Sequence, residues 1–289
     1  MGNSQLVLAQ LINGIVSGGI YALLAVGLTI IFGMMNFVNF AHGIFYVLGA
    51  YAAFISVHWL GNFWVGLILG PIVIGALAMA LERTFLKKLY RIDVKYTILA
   101  TFGLSLILRE IIILVFEARG QPVFPPASLE GIVNLGVTLF PVYRIFLFGV
   151  AGVTLVLLWY LIERTKLGAV IRAGIEYPDM VSCLGINVHR VFTLTFGLGV
   201  ALAALSGVLM APIRGVEPFM GDMMQGVSFA VVIIGGLGSF AGAIIAGFIV
   251  GIVESLVVLV SPSMSLAAIF LTMVAILLMR PHGLFGSER

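Results

Sequence analysis

Long apolar runs alternate along the chain with short segments that hold most of its charged and turn-forming residues. Nine runs can be distinguished, at about 7–33, 40–57, 63–81, 97–116, 145–162, 190–211, 226–237, 240–260 and 265–279. Because an α-helix rises about 1.5 Å per residue, about 20 apolar residues cross the hydrocarbon layer of a bilayer. The pattern therefore predicts an all-α integral membrane protein. We expect a polytopic bundle of about eight or nine spans that occupies residues 1–289 as a single transmembrane domain.

Two of the breaks in this pattern predict helices that stop inside the membrane. The run 226–237 is too short to cross, and it is followed by the glycine-rich segment 235–243. A similar polar interruption covers Met35–Gly43 in the first half of the chain. Paired interruptions are typical of transporters built from inverted repeats, whose pathway lies at the interface of the repeats. We therefore predict half-helices and an inverted repeat, with ordinary tight turns between spans as the alternative.

The composition and the distribution of charge support a membrane protein with a defined orientation. Hydrophobic residues make up 62% of the chain and charged residues only 9%, too few for a surface that faces water on all sides. The segment 82–96 holds five Lys or Arg residues and the segment 162–190 holds four, whereas 117–144 holds two. Positively charged loops remain in the cytoplasm. The chain is thus predicted to be a multi-pass protein of the cell inner membrane with a cytoplasmic C-terminus.

The sequence shows no motif for chemistry carried out by this chain. It contains no G-x-x-x-x-G-K-[ST] nucleotide-binding loop, so we do not expect it to hydrolyse ATP itself. Its four histidines are scattered, and Cys183 is its one cysteine, so no metal-ligand spacing can be recognised. We predict no enzyme activity, cofactor or metal site in this chain. The net charge of +3 is concentrated in loops beside the membrane, which favours a lipid bilayer over nucleic acid as the partner.

Three charged residues lie inside apolar runs, where charge is unfavourable and often functional. Arg109 and Glu110 lie in the fourth run and Glu254 in the eighth. The predicted topology places Arg109 and Glu254 at similar depth, so we predict an intramembrane ion pair between them that fixes helix packing. The alternative is a gate or a substrate contact near the outer side.

Polar residues at the interruptions are candidates for a translocation path. Asn36, Asn39 and His42 lie in the first interruption, and Gln225 precedes the short run 226–237. These side chains either line the path or cap the ends of helices, and the sequence favours neither.

The cytoplasmic segment of about 163–190 has the pattern of two short helices. The first follows Gly168. The second begins near Pro178, which suits the first turn of a helix, and ends at Gly185. A short amphipathic helix of this kind can dock into a groove on a partner protein, and a loop lying on the membrane surface is the alternative. The candidate docking residues are Arg172, Glu176, Tyr177, Asp179, Met180, Cys183, Leu184 and Gly185.

Four separated stretches resemble the permeases of branched-chain amino acid ABC importers. They are the N-terminal signature 13–43, the cytoplasmic elements Arg172-Ala173 and Gly185–Val188, the glycine-rich segment 234–255 and the C-terminal RPHGLFG at 280–286. The similarity runs from end to end, and the length of the chain favours the smaller of the two permeases of such importers.

The resemblance implies partners and a direction of transport. Such a permease pairs with a second, homologous permease, and two cytoplasmic ATPase subunits bind ATP and Mg beneath the pair. A substrate-binding protein outside the membrane delivers the cargo, and the helix near 176–185 would be the coupling helix seated in an ATPase groove. The implied cargo is Leu, Ile, Val or a related neutral amino acid carried into the cytoplasm. The alternatives are urea or short amides, and a secondary transporter in which Arg109, Glu110 or Glu254 relays an ion.

Overall fold

Helices account for most of the computed structural model, which describes residues 3–35, 37–89, 93–134 and 139–286. The helices are α1 (Asn3–Met35), α2 (His42–Leu60), α3 (Phe63–Thr84), α4 (Val94–Phe116), α5 (Val142–Arg164), α6 (Lys166–Glu176), α7 (Pro178–Cys183), α8 (Val188–Arg214), α9 (Met220–Gly235), α10 (Phe240–Val258) and α11 (Ser265–Met279). Two short antiparallel strands, β1 (Ile132–Asn134) and β2 (Leu139–Pro141), form a hairpin between α4 and α5. Over the described ranges, eight helices are long and apolar enough to cross a membrane. The predicted polytopic helix bundle is confirmed.

Helix α1 lies at the centre of the bundle, and its most extensive contact is with α10. Gly14 and Gly18 of α1 face Gly247 and Gly251 of α10. A Cβ atom built on Gly251 would lie 2.4 Å from the backbone nitrogen of Gly18, so only glycine permits this approach. In lipid, where apolar side chains gain little by meeting one another, close backbone packing of this kind holds helices together.

Helix α8 packs on α1 and on the pair α2 and α3. A Cβ atom on Gly27 of α1 would meet the carbonyl oxygen of Gly199 at 2.4 Å, and one on Gly207 would meet the carbonyl oxygen of Tyr46 in α2. An apolar 18-residue stretch of α8 is 78% buried, whereas such a stretch of α4 is 17% buried and Pro262–Met279, which includes α11, is 6% buried. The chain therefore has a core of α1 and α8, and α4 and α11 lie at its periphery.

The first predicted interruption is present and lies inside the bundle. Residues 37–41 are not helical, and they return the chain beside α1. The imidazole Nε2 of His42 lies 3.0 Å from the carbonyl oxygen of Leu24. Leu24 precedes the end of α1 by about 11 residues, or about 16 Å. Helix α2 thus begins beside the middle of α1 rather than beside its end.

The second interruption follows a helix that is longer than the sequence pattern predicts. Helix α9 begins at Met220 instead of residue 226, and its 16 residues give a length of about 24 Å. Its first turns hold the polar residues Asp222 and Gln225, which precede the apolar run 226–237 and were therefore predicted to lie in a loop. Residues 236–239 then form a tight turn into α10. The helix is still shorter than a full span of about 30 Å, as predicted. The inverted repeat stays a prediction.

Candidate translocation site and helices α6 and α7

A cavity of about 260 Å³ lies among α2, α4 and α9 and the residues that precede α2 and α9. Its walls are largely apolar and carry a few polar groups, a combination typical of sites for small molecules. Drug-sized ligands occupy pockets of about 300 Å³ or more, so this cavity suits a smaller solute. The residues that line it are Phe40, Gly43, Ile44, Phe102, Ser105, Leu106, Arg109, Pro218, Gly221, Asp222 and Gln225.

One side of the cavity is formed where the first turns of α2 and α9 meet. The carbonyl oxygen of Gln225 accepts a hydrogen bond from the backbone N–H of Gly43, and its amide nitrogen donates to the backbone oxygen of Asn39 at 3.1 Å. A Cβ atom on Gly43 would lie 2.3 Å from the oxygen of Gly221, so the two helices touch through glycine backbones. Gln225 therefore fixes two helix starts against each other.

Three of the four predicted path residues are thus brought together, although they do not play the same part. Gln225 lines the cavity, whereas Asn39 and His42 are fully buried behind it. The side-chain oxygen of Asn39 accepts from the N–H of Ala41 at 3.0 Å, in the turn that leads into α2. Asn39 and His42 therefore have the alternative predicted role, that of structural residues at the start of a helix, and they do not line the cavity. Asn36 lies outside the described residues.

The mouth of the cavity carries an ion pair. Nη1 of Arg109 in α4 lies 2.7 Å from Oδ2 of Asp222 in α9. The Arg109 side chain is 19% exposed and that of Asp222 is 64% exposed, so the carboxylate faces the open side. The guanidinium also lies over the ring of Phe219, 5.4 Å from its centroid. The pair links the peripheral helix α4 to the start of α9.

The predicted ion pair between Arg109 and Glu254 is wrong. The carboxylate of Glu254 accepts a hydrogen bond of 2.6 Å from the hydroxyl of Tyr21, and its other oxygen lies 3.8 Å from Nη2 of Arg214. Sequence position gave the depth of each charge along its helix but not the neighbours of that helix. Helix α4 packs against α2, whereas α10 packs against α1.

Tyr21, Arg214 and Glu254 form a polar cluster that joins α1, α8 and α10. Nη2 of Arg214 also donates to the hydroxyl of Tyr21 at 3.1 Å, so each of the three side chains contacts the other two. Glu254 is only 12% exposed, and a carboxylate at that burial needs such partners. This cluster holds three helices in place and is separate from the cavity.

The segment 163–190 forms the two helices that the sequence predicted, α6 and α7. The hydroxyl of Thr165 caps the start of α6 by accepting from the N–H of Gly168 at 3.1 Å. The backbone of Gly185, which follows α7, has a left-handed φ of 79°. Arg172 donates to the carbonyl oxygen of Ile162 and lies 3.5 Å from Glu163. Arg172 therefore ties α6 to the end of α5.

Helix α7 and the two residues that flank it, Tyr177 and Leu184, present an apolar edge to their surroundings. Val181 is buried, whereas Tyr177, Met180 and Leu184 are 54%, 67% and 78% exposed. Cys183 is also exposed. The side chains of Glu176 and Asp179 lie outside the described part of the structure. The exposed residues share one short element and are available to a partner.

Comparison with known proteins identifies the family. Residues 10–279 match the family described as branched-chain amino acid transport system / permease component. This chain belongs to that family. The predicted resemblance is confirmed, and the match covers both interruptions, the cavity and helices α6 and α7.

Two named relatives of this permease, BraD and LivH, align with it over nearly their whole length. The high-affinity branched-chain amino acid transport system permease protein BraD of Pseudomonas aeruginosa is 31% identical, with 96% of this chain and 95% of BraD covered. The corresponding protein LivH of Escherichia coli strain K12 is 30% identical with the same coverage. LivM of Salmonella typhimurium, a permease of the same kind of system, is 28% identical over 93% of this chain and 68% of LivM.

A solved structure supports the fold of the permease. PsaBC from Streptococcus pneumoniae in complex with Fab aligns with a TM-score of 0.50 and 16% identity, over 92% of this chain and 89% of that chain. At this identity the likeness concerns the fold alone.

The apolar pattern of the sequence does not point to Asp222, Tyr21 or Arg214, which the structure brings into contact with Arg109 and Glu254. A signal for Asp222 was available, because an acidic residue three positions before Gln225 suits the first turn of a helix that begins near Met220. Arg214 was counted as a loop residue, although it ends α8. No sequence pattern points to Tyr21.

Replacing Arg214 by methionine should destabilise the permease by about 1–3 kcal/mol, because Glu254 would keep its burial and lose its positive neighbour. The measurement is the unfolding midpoint of the purified protein in detergent. Arg119→Met is the matched control, since Arg119 lies 3.6 Å from Glu117 with both side chains more than 70% exposed. An exposed pair contributes little to stability. Equal midpoints for the two variants would contradict the structural role of the cluster.

Proposed function

We propose that this chain is the translocation subunit of an ATP-driven importer that carries Leu, Ile, Val or a related neutral amino acid into the cytoplasm. The end-to-end family match carries this proposal, because it includes every element that the structure assembles around the cavity. Relatives that are about 30% identical over 96% of this chain are named as permeases of branched-chain amino acid transport. The whole chain would act as one transmembrane permease domain, without enzyme activity of its own.

The proposed assembly contains a second permease. LivM and LivH are both named as permeases of a high-affinity branched-chain amino acid transport system, and both are similar to this chain. A heterodimer of this chain with a LivM-like permease follows from that similarity. Two cytoplasmic ATPases that bind ATP and Mg, and a substrate-binding protein outside the membrane, complete the proposal.

The cavity among α2, α4 and α9 is the proposed path of the cargo. Its apolar side chains, such as Ile44, Phe102 and Leu106, suit a branched aliphatic side chain. Its polar side has the starts of α2 and α9, whose positive ends favour a carboxylate, and the ion pair of Arg109 and Asp222. A zwitterion could exchange contacts with both charges as it passes. Gln225 would hold the two helix starts in register during that passage.

The edge formed by Tyr177, Met180 and Leu184 is the proposed docking site for an ATPase. The tie between Arg172 and the end of α5 would transmit movement of α6 and α7 to a membrane-spanning helix. In this arrangement Arg172 acts within the chain, and the exposed apolar residues on and beside α7 contact the ATPase.

The charges of the chain and one contact near its C-terminus support a proposed orientation in the membrane. The N–H groups of Leu284 and Phe285 donate to the oxygens of Ile234 and Gly235 at the end of α9. The C-terminal segment therefore lies at the same side as the turn between α9 and α10. We propose that this side, together with the basic segment 82–96 and helices α6 and α7, faces the cytoplasm.

Uptake by the purified complex in proteoliposomes tests the function. The chain is expressed with its genomic neighbours, purified in mild detergent and reconstituted with the substrate-binding protein. We expect uptake of radiolabelled leucine that requires ATP and stops when the nucleotide is withheld. Uptake driven by a proton or sodium gradient without ATP would favour the secondary transporter, and uptake of urea or acetamide in place of leucine would change the cargo.

A further inference from the structure

One carboxylate lies on the outward face of a membrane-spanning helix. Glu110 of α4 is exposed and, among the described residues, it has no hydrogen bond or ion pair. Its neighbour Arg109 is directed the other way and is bound to Asp222. The permease therefore carries an intramembrane charge that its own described residues leave without a partner.

The position of Glu110 is well inside the apolar layer. It precedes Phe116 at the end of α4 by about six residues, or about 9 Å. The ring of Phe116 in turn packs on Tyr51, with centroids 4.7 Å apart. Tyr51 lies about eight residues before Trp59, an exposed aromatic residue near the end of α2 of the kind that marks a membrane interface. A carboxylate at that depth is unfavourable against lipid and is normally paired or in contact with water.

Glu110 belongs to a continuous exposed surface, which we call the α4 stripe. Its members follow one another at intervals of three or four residues and therefore share one helix face. Leu99, Ile107 and Leu114 are 67%, 60% and 84% exposed, and a Cβ atom on Gly103 would meet nothing within 4 Å. The α4 stripe consists of Leu99, Gly103, Ile107, Glu110 and Leu114.

We propose that the second permease packs on the α4 stripe and places a basic or hydrogen-bond-donating side chain against Glu110. This inference rests on the proposed function, which requires such a partner. The charges at this place, Arg109, Glu110 and Asp222, sum to minus one, so a basic group from outside the chain complements them. Gly103 allows a close approach of the partner helix.

Charge also favours a different chain over a second copy of this one. Two copies related by a two-fold axis along the α4 stripe would bring two Glu110 carboxylates together. Like charges at an interface of low polarity oppose association. The α4 stripe thus selects a permease that carries a basic or donor residue at the facing position.

Site-specific photocrosslinking in the complete complex tests the surface. A benzophenone amino acid is placed at Ile107 or Leu114 of α4. The control position is Leu69 of α3, which is 51% exposed and lies about six residues after Phe63, the first residue of that helix. Adducts are identified by mass spectrometry after irradiation of native membranes. We expect adducts with the second permease from Ile107 and Leu114 and lipid adducts from Leu69. Lipid adducts alone from the α4 stripe, or adducts with a second copy of this chain, would overturn the proposal.

Charge reversal tests the role of Glu110. We expect Glu110→Lys to lower the amount of second permease that co-purifies with this chain by about tenfold, and Glu110→Gln to lower it less. Leu69→Lys is the matched control for a lysine placed in a membrane span, and it should retain the partner. If Glu110→Lys retained the second permease fully, the proposal that a basic side chain of that permease faces Glu110 would be contradicted. Two outcomes separate this inference from the proposed function. If the unmodified complex contains no second permease, the proposed function fails as well. If the complex contains a second permease but the α4 stripe gives only lipid adducts, only this inference fails.

Discussion

The double variant Met180→Asp with Leu184→Asp should lose ATP-dependent leucine uptake almost completely. Met180 of α7 and Leu184, which directly follows α7, are both more than 65% exposed, and their burial in an ATPase groove is the proposed source of docking energy. A buried carboxylate without a partner opposes docking, and central apolar residues of an interface each contribute about 2 kcal/mol or more. We therefore expect the amount of co-purified ATPase to fall by at least about tenfold, together with uptake.

The control for this variant is Leu237→Asp. Leu237 is 56% exposed in the turn between α9 and α10, on the side that the proposed orientation assigns to the cytoplasm, and it is not part of α6 or α7. It should keep the ATPases and transport leucine normally. Wild-type uptake by the double variant, or equal loss in the control, would remove α7 as the docking element.

The second large effect is expected at the mouth of the cavity. Arg109→Asp and Asp222→Arg, each alone, should reduce leucine uptake by about tenfold or more, because each places two like charges beside the proposed path. The combined exchange, Arg109→Asp with Asp222→Arg, should recover part of the uptake because the pair can form again with reversed sign. Initial rates over a range of leucine concentrations separate a change in KM from a change in maximal rate.

The substitutions of Arg109 and Asp222 at the mouth of the cavity should change the stability of the protein very little. Asp222 is 64% exposed, so the ion pair contributes about 1 kcal/mol or less to stability. Unfolding midpoints of all variants should therefore lie close together. Arg119→Asp, in the exposed pair with Glu117, is the control for a charge change in the outer region and should leave uptake intact. Undiminished uptake in both single variants would show that the cargo does not pass this pair.

The order and number of the spans could be predicted from the sequence. The apolar runs 63–81 and 265–279 correspond to α3 (Phe63–Thr84) and α11 (Ser265–Met279). This agreement has a simple reason, because a bilayer requires each span to be apolar over a length that the chain itself displays. Helices α6 and α7 were also predicted, since Pro178 and Gly185 mark the start and the end of a helix locally.

The start of α9 shows where the apolar pattern is insufficient. Asp222 and Gln225 are polar, yet they belong to the helix because Arg109, Gly43 and Asn39 satisfy them. These partners come from α4 and from the region between α1 and α2, so no window of sequence around residue 222 contains them. The predicted ion pair between Arg109 and Glu254 was wrong for the same reason, because the depth of a residue along its helix does not determine which helix packs beside it.

The sequence by itself determined that this protein is a many-helix membrane permease, where its helices break, and that a short helix lies between Pro178 and Gly185. Only the tertiary structure decided that the chain turns back at residues 37–41 and places Gly43 against Gly221. It also decided that Gln225 lines a cavity while His42 is buried behind it, and that Glu254 pairs with Arg214. Local hydrophobicity and turn chemistry are encoded along one segment at a time. Helix neighbours are set by close contacts between glycine backbones far apart in the chain, as between Gly18 and Gly251, and those contacts exist only after the bundle has formed.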